Sequence, residues 1–269
     1  MGSTVSSNQK KQLNPGFVVA NRFKLRKQLG EGCFGTVWTA SDLQIGGEET
    51  AVVKFTTTDD TSIAREVLIY ELVSSPDYKN HFADYLASGR VEGHPWLALS
   101  NEGQPMSLVK HHCKGRLCRE DLARFGVFAV RALRALHDAG FVHLDLHNSN
   151  ILLSMNPAKN PVVIIDFGKS ERMAEDTEQD RPKKRKDYES LAKITISLHG
   201  LFGHIDQTKT MVEPYLVPAI EALLDEEPNS TLIELEFSRT GPVDRQWEFL
   251  QPARRPTKLS DSSDTPATI

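Results

Sequence analysis

The stretch HLDLHNSNILL, residues His143 to Leu153, decides the fold. Two histidines, an aspartate and two asparagines stand directly before the apolar run Ile151, Leu152 and Leu153. An ordinary loop has no need of so many hydrogen-bonding side chains beside a buried strand. A loop that carries chemistry, anchored on that strand, does. Asp145 can orient a hydroxyl nucleophile and accept its proton, and Asn150 can bind a metal ion through its amide oxygen.

Downstream, VVIIDFG (162–168) reads as a short buried strand ending in a turn. Asp166 in that turn offers a charged oxygen for a Mg²⁺ ion that bridges ATP phosphates. Upstream, REDLARFGVFAVRALRALHDAG (119–140) puts Leu122, Phe125, Ala129, Leu133 and Leu136 on one helical face, with Gly140 where a helix stops. DYESLAKITISLHGLF (187–202) predicts a second strong helix, and shorter ones follow at 216–225 and 231–238. The last opens on a Thr231–Glu234 capping-box pattern.

The first hundred residues have a different period. RFKLRKQLG (22–30) alternates polar and apolar residues. GTVWTAS (35–41) and TAVVKFT (50–56) flank a Gly46–Gly47 turn, and DYLASG (84–89) and PWLALS (95–100) add two more strands. Between them TSIAREVLIYELV (61–73) repeats Ile63, Val67 and Tyr70 at helical spacing. Strands with one helix, followed by mostly helices, predict an α+β fold of two lobes joined near residues 100–103. The expected divisions are an arm at 1–15, a β-rich lobe at 16–100, a helical lobe at 101–252 and a tail at 253–269.

LGEGCFGTV (29–37) holds Gly30, Gly32 and Gly35 in a G-x-G-x-x-G array. Glycine lets backbone N–H groups approach phosphate oxygens without a Cβ in the way. Strand-like residues on both sides favour a β-hairpin flap over the helix start that a dinucleotide site needs. Lys54, at the end of Ala51-Val52-Val53, is placed to reach phosphates and needs a carboxylate to hold it. Glu66 is the candidate. Glu71 is the runner-up, about 140° around the helix from it.

These motifs together resemble the protein-kinase superfamily, from about residue 22 to 202 and most specifically from 129 to 168. HLDLHNSNILL followed by IIDFG is similar to the family's H-R-D-L-K-x-x-N-I-L-L and D-F-G. The resemblance implies an ATP cleft between lobes and a hinge near Ser100–Gly103. It implies nucleotide contacts from Gly30, Gly32, Gly35, Val37, Lys54 and Asn101. Asp145 would be the catalytic base, Lys54 and Glu66 its supporting ion pair, and Asn150 and Asp166 the ligands of Mg²⁺ or Mn²⁺. Asp187 resembles the aspartate that opens the next large helix and ties down the catalytic loop.

Three departures qualify the likeness. Leu144 replaces the usual arginine. His147 stands where Ser/Thr kinases carry a lysine, and is expected to hydrogen-bond the transferred phosphate instead. The span from Gly168 to Asp187 is short and lacks A-P-E, so the peptide-docking segment is reduced. His147 also resembles the H-G-D-L-H-P-G-N loop of small-molecule kinases. The function expected first is transfer of the ATP γ-phosphate to a hydroxyl by a Ser/Thr-type protein kinase. The alternatives are a small-molecule kinase of aminoglycoside or choline phosphotransferase type, and a pseudokinase scaffold.

Composition bounds the rest. The 269 residues are 39% hydrophobic with net charge −4, so no global basic character suggests nucleic acid. No apolar run is long enough to span a membrane, and MGSTVSSNQKK lacks a secretory core. Three cysteines, Cys33, Cys113 and Cys118, fit a reducing compartment, cytoplasmic or nuclear. Cys33 lies in the glycine loop, a candidate oxidation-sensitive thiol. HHCKGRLC (111–118) reads as a helix-to-helix connection. RPKKRK (181–186) reads equally as a nuclear or docking signal and as a solvated loop. MGSTVS matches an acylation pattern, so membrane contact is expected only if Gly2 is acylated.

Overall fold

The computed structural model describes residues 13–32, 35–56, 61–156, 158–174, 178–201, 211–244 and 247. The tail at 253–269, most of the arm, Gly2, Cys33 and Thr177 lie outside them.

The five expected strands form one antiparallel sheet, to which a short unexpected strand at Val18–Val19 adds an edge. Its members are β1 (Val18–Val19), β2 (Phe23–Gly32), β3 (Gly35–Asp42), β4 (Ala51–Phe55), β5 (Tyr85–Val91) and β6 (His94–Ser100), in the order β1-β2-β3-β4-β6-β5. The period of two explains its faces. In β4, Ala51, Val53 and Phe55 are buried with Phe23, Leu25, Trp38 and Trp96. Val52 and Lys54 therefore point to the opposite face. There α1 (Thr61–Val73) packs, burying Ile63, Ile69, Tyr70 and Val73 against Leu97 and Phe82. One spatial constraint holds the hairpin of β2 and β3 close to β4. A Cβ at Gly35, whose φ is +133°, would lie 1.8 Å from the Phe55 carbonyl oxygen.

The second core is built around α3 (Arg119–Asp138), where Leu122, Phe125, Ala129, Leu133 and Leu136 are all buried. Around it lie α2 (Met106–His112), α4 (Arg181–Leu198), α5 (Val217–Leu223) and α6 (Ser230–Thr240). Gly126 sits in the middle of α3, where glycine costs about 1 kcal/mol of helix stability relative to alanine. A Cβ there would lie 2.1 Å from the Phe237 ring of α6. The cost is offset by burying that ring, worth about 2–3 kcal/mol. Two small sheets complete the frame. β7 (Gly103–Pro105), β9 (Ile151–Ser154) and β10 (Val162–Ile164) run in the order β10-β9-β7, and β8 (Phe141–Val142) pairs with β11 (Glu171–Arg172). The chain passes from β6 to β7 through Asn101 and Glu102. The Glu102 carboxylate is buried and accepts from Ser100 Oγ at 2.5 Å and Ser154 Oγ at 3.4 Å.

Three expectations need correction. The helix expected from Asp187 begins at Arg181, so Asp187 lies inside α4 rather than at its start. The basic run 181–186 is helix, not loop. Arg181 pairs with Glu227 at 2.8 Å, Lys183 with Glu171 at 2.8 Å and Arg185 with Glu189 at 3.1 Å. These carboxylates offset the cost of cations at the positive end of a helix dipole. The cap of α6 is Asn229, whose side chain accepts from Thr231 N and Leu232 N at 3.0 and 3.1 Å. Glu234 is not part of a capping box. It holds Arg131 of α3 through Nε at 2.7 Å. His111 and His112 close α2, and residues Cys113–Cys118 make the connection to α3. Among the described residues no helix is long and apolar enough to cross a membrane.

Candidate active site

The loop 143–150 leaves β8 and returns into β9. It is held from below by Asp187. Its Oδ2 accepts from His143 N at 2.8 Å and contacts His137 Nε2 at 3.0 Å, while Oδ1 accepts from Leu144 N at 2.7 Å. The loop is thereby fixed with Leu144 at φ +64°, a conformation that costs a non-glycine residue about 1–2 kcal/mol. Asp187→Ala would leave two backbone N–H groups without their acceptor, at about 1–3 kcal/mol each. The expected result is a melting temperature lower by about 10 °C, read by differential scanning fluorimetry. Asp187→Asn, which keeps one acceptor oxygen, is expected to lose less.

His143 locks the loop to the strand end of β10. Asp145 N donates to its Nδ1 at 3.3 Å, so the ring proton is on Nε2, which donates to Ile165 O at 3.0 Å. Burial pushes this imidazole below its ordinary value, beyond what the Ile165 hydrogen bond and the neighbouring carboxylates restore. Burial, with the charges of Arg134 and Arg131, likewise pushes His81 from 6.5 down to about 4. In the unfolded chain both groups take a proton near 6.5, and in the folded chain neither does until lower pH. Their contribution to stability is therefore complete above about 6.5 and is lost as pH falls from there toward 4. The melting temperature is expected to hold above pH 7 and to fall between pH 6.5 and 5. His81→Gln, which keeps an acceptor for the Asn160 amide but does not titrate, is expected to flatten that fall.

Above the loop, Lys54 Nζ lies 2.7 Å from Glu66 Oε1 and 2.7 Å from Asp166 Oδ1. The carboxylate on Lys54 is thus Glu66, buried on α1, while Glu71 is exposed. Burial alone would lower the Lys54 ammonium, but the charges of Glu66 and Asp166 outweigh it and raise it. For Asp166 burial works upward, and the Lys54 charge and hydrogen bond override it and hold the carboxyl low. Asp166 has φ +66°, and Phe167 beside it is fully buried. The Phe167 ring lies 4.8 Å from Tyr70, 5.8 Å from Phe82 and 5.7 Å from His143. This aromatic column joins α1, the loop 143–150 and the D-F-G turn, so the loop and Lys54 keep a common frame.

Between the sheet and the loop is a cleft of about 350 Å³, lined by Gly30, Gly35, Val37, Lys54, Asp145, Asp166 and Lys169 among others. Gly32 pairs with Gly35 at the hairpin tip, and nothing stands within 4 Å of a Cβ built on Gly30. Asn150 is buried and its Nδ2 donates to Asp145 O at 3.0 Å, which leaves its amide oxygen as the remaining acceptor. Lys54 and Lys169 are set against Glu66, Asp145 and Asp166. This small excess of negative charge suits a hard divalent cation held by oxygens.

Two expected residues stand elsewhere. Asn101 does not line the cleft. Its N–H donates to Thr50 O at 3.1 Å and its side chain to Glu49 O at 2.8 Å, so both are turned to the β3–β4 connection. His147 is exposed, outside the cleft, and its Nδ1 accepts from Ser149 N at 3.2 Å. The cation on Asp145 is instead Lys169, at 3.0 Å. The sequence offered a signal for it, a lysine directly after D-F-G. Ser170, a hydroxyl in the same segment, is fully buried and donates to His143 O at 3.4 Å.

A protein kinase domain model matches residues 23–191. The chain belongs to the protein kinase domain family. It is similar to a Caenorhabditis elegans protein provisionally named a serine/threonine-protein kinase, 25% identical over 211 residues, covering 74% of this chain and 60% of the relative. A Dictyostelium discoideum protein named a probable serine/threonine-protein kinase is 26% identical over 172 residues, covering 63% of this chain and 34% of the relative. Fer-related kinase 1 of Caenorhabditis elegans is 30% identical over 163 residues, covering 61% of this chain and 40% of the relative. The chain thus spans between about a third and 60% of the length of these relatives.

Proposed function

We propose that this chain transfers the γ-phosphoryl group of ATP to a hydroxyl of a protein substrate, as a Ser/Thr-type kinase. The observation that carries this reading is the Lys54 ammonium shared between Glu66 and Asp166, in the cleft that Asp145 also lines. In this reading Gly30, Gly32 and Gly35 cover the phosphates, Val37 bounds the cleft, and Lys54 neutralises phosphate charge. Asp145 orients the substrate hydroxyl and takes its proton as the oxygen attacks phosphorus. The oxygen–phosphorus bond forms as the bond from the γ-phosphorus to the bridging oxygen breaks, and its electron pair stays on ADP.

Asn150 and Asp166 fit a Mg²⁺ or Mn²⁺ ion, because hard oxygens next to phosphate are what such an ion takes. When bound there, the ion supplies charge neutralisation at the β- and γ-phosphate oxygens. A catalytically dead scaffold is disfavoured, since Lys54, Glu66, Asp145, Asn150 and Asp166 are all present. A small-molecule kinase is the second reading. It is favoured by the short segment between Asp166 and α4, which leaves little chain for a peptide platform.

The test separates these readings. Purified protein is treated with phosphatase, then given γ-labelled ATP with Mg²⁺ or Mn²⁺. One set of reactions holds generic protein substrates, another a panel of small hydroxyl and amine compounds. Label on serine and threonine of protein supports the proposal. Label on small compounds alone replaces it with the second reading. The buried Ser170 is one reason to expect activity without phosphorylation of that segment.

A further inference from the structure

We propose that Lys169 is the cation that meets the phosphoryl group in transfer, a part that the catalytic loop does not supply in this chain. The inference rests on the phosphotransfer reading above and deepens it. Phosphoryl transfer spreads negative charge over the equatorial oxygens of the moving group, and fixed positive charge there lowers the barrier. Lys54 and Lys169 are the cations among the described residues that line the cleft. Lys54 is already divided between two carboxylates. Lys169 Nζ stands 3.0 Å from Asp145 Oδ1, the oxygen set that receives the hydroxyl's proton. It is therefore next to the point where nucleophile and phosphorus meet. His147, the residue the family pattern puts forward for this part, faces solvent outside the cleft.

The backbone fixes Lys169 while leaving its side chain free to move. On one side Arg65 Nη1 donates to Gly168 O at 2.8 Å. On the other, Ser170 is fully buried, with its N–H on Phe167 O at 3.0 Å and its hydroxyl on His143 O. The next residues pair with β8. The Lys169 side chain itself is 60% exposed. An ion pair that open to water contributes little to stability, so the contact with Asp145 is not a structural anchor. A flexible ammonium on a pinned backbone can shift from the carboxylate to a phosphate oxygen when ATP enters. The hydroxyl's proton passes to Asp145, and the electron pair of the broken bond stays on ADP.

The test compares binding of ADP–Mg²⁺ with and without aluminium fluoride, a stand-in for the phosphoryl group in flight, by calorimetry on the full chain. Wild-type protein should bind ADP–Mg²⁺ more tightly when aluminium fluoride is present. Lys169→Ala should bind ADP–Mg²⁺ unchanged but lose that gain, and should lower kcat by about 100-fold with little change in KM for ATP. Lys169→Arg should recover part of both, and His147→Ala should keep the gain. Lys169→Ala retaining the full gain, His147→Ala abolishing it, or a wild-type protein with no gain each overturns the proposal. Absence of ADP–Mg²⁺ binding to wild-type protein is a different result, because it removes the nucleotide reading itself and this proposal with it.

Discussion

Asp145→Asn is expected to lower phosphotransfer by about 10²–10⁴-fold, the share that a positioned general base contributes, while ATP binding survives. The amide keeps the shape of the carboxylate but cannot take the hydroxyl's proton. Asp145 is not one of the carboxylates that hold Lys54, so the nucleotide side of the cleft keeps its geometry. The loop also stays in place, because its anchors are Asp187, His143 and Asn150 acting on backbone atoms. The check is kcat against ATP-induced thermal stabilisation in the same preparation. A variant that loses both points to a folding defect, and one that keeps full activity removes Asp145 from the chemistry.

The second large effect is expected at Asp166 and Lys54. A ligand bound only by the folded state stabilises it by about 2.7 kcal/mol at a hundred times its Kd. For a chain of this size that raises the melting temperature by about 5–10 °C. Wild-type protein with ATP and Mg²⁺ should show such a rise. Asp166→Ala should lose the part that depends on the metal. Lys54 would keep Glu66 as a partner in that variant, so the β4–α1 contact survives. Lys54→Met should lose the shift more completely, and it removes the Lys54 ammonium from the buried Glu66 carboxylate. Its own melting temperature should therefore fall before any ligand is added.

The parts legible in the sequence are those with a strong local period. The stripe of α3, the alternation in β4 and the Ile63–Val67–Tyr70 spacing of α1 all mark buried faces, and α1 occupies the residues expected for it. The start of α4 was hidden because RPKKRK has no apolar period. Its signals were Asp180 and a proline in the first turn, both of which read as loop in isolation. β7, β8 and β11 are two or three residues long and carry no period at all. The site divides in the same way. Lys54 and Glu66 lie on β4 and α1, whose directions the period fixes, while Asp145, Asn150 and Asp166 lie in the loop 143–150 and the turn after β10, where motif spacing rather than period marked them. Asn101 and His147 lie in turns, where neighbourhood in sequence says nothing about which way a side chain points. Lys169 reaches Asp145 because β11 pairs with β8 and brings the segment after D-F-G alongside the loop 143–150.

Transfer of the γ-phosphoryl group by phosphatase-treated wild-type protein, measured beside Asp145→Asn, is the most direct test of the cleft as a phosphotransfer site. The predicted result is label on protein serine and threonine that requires Mg²⁺ or Mn²⁺ and disappears in the variant. Folded wild-type protein that neither binds ATP nor moves its phosphate with either metal would contradict it.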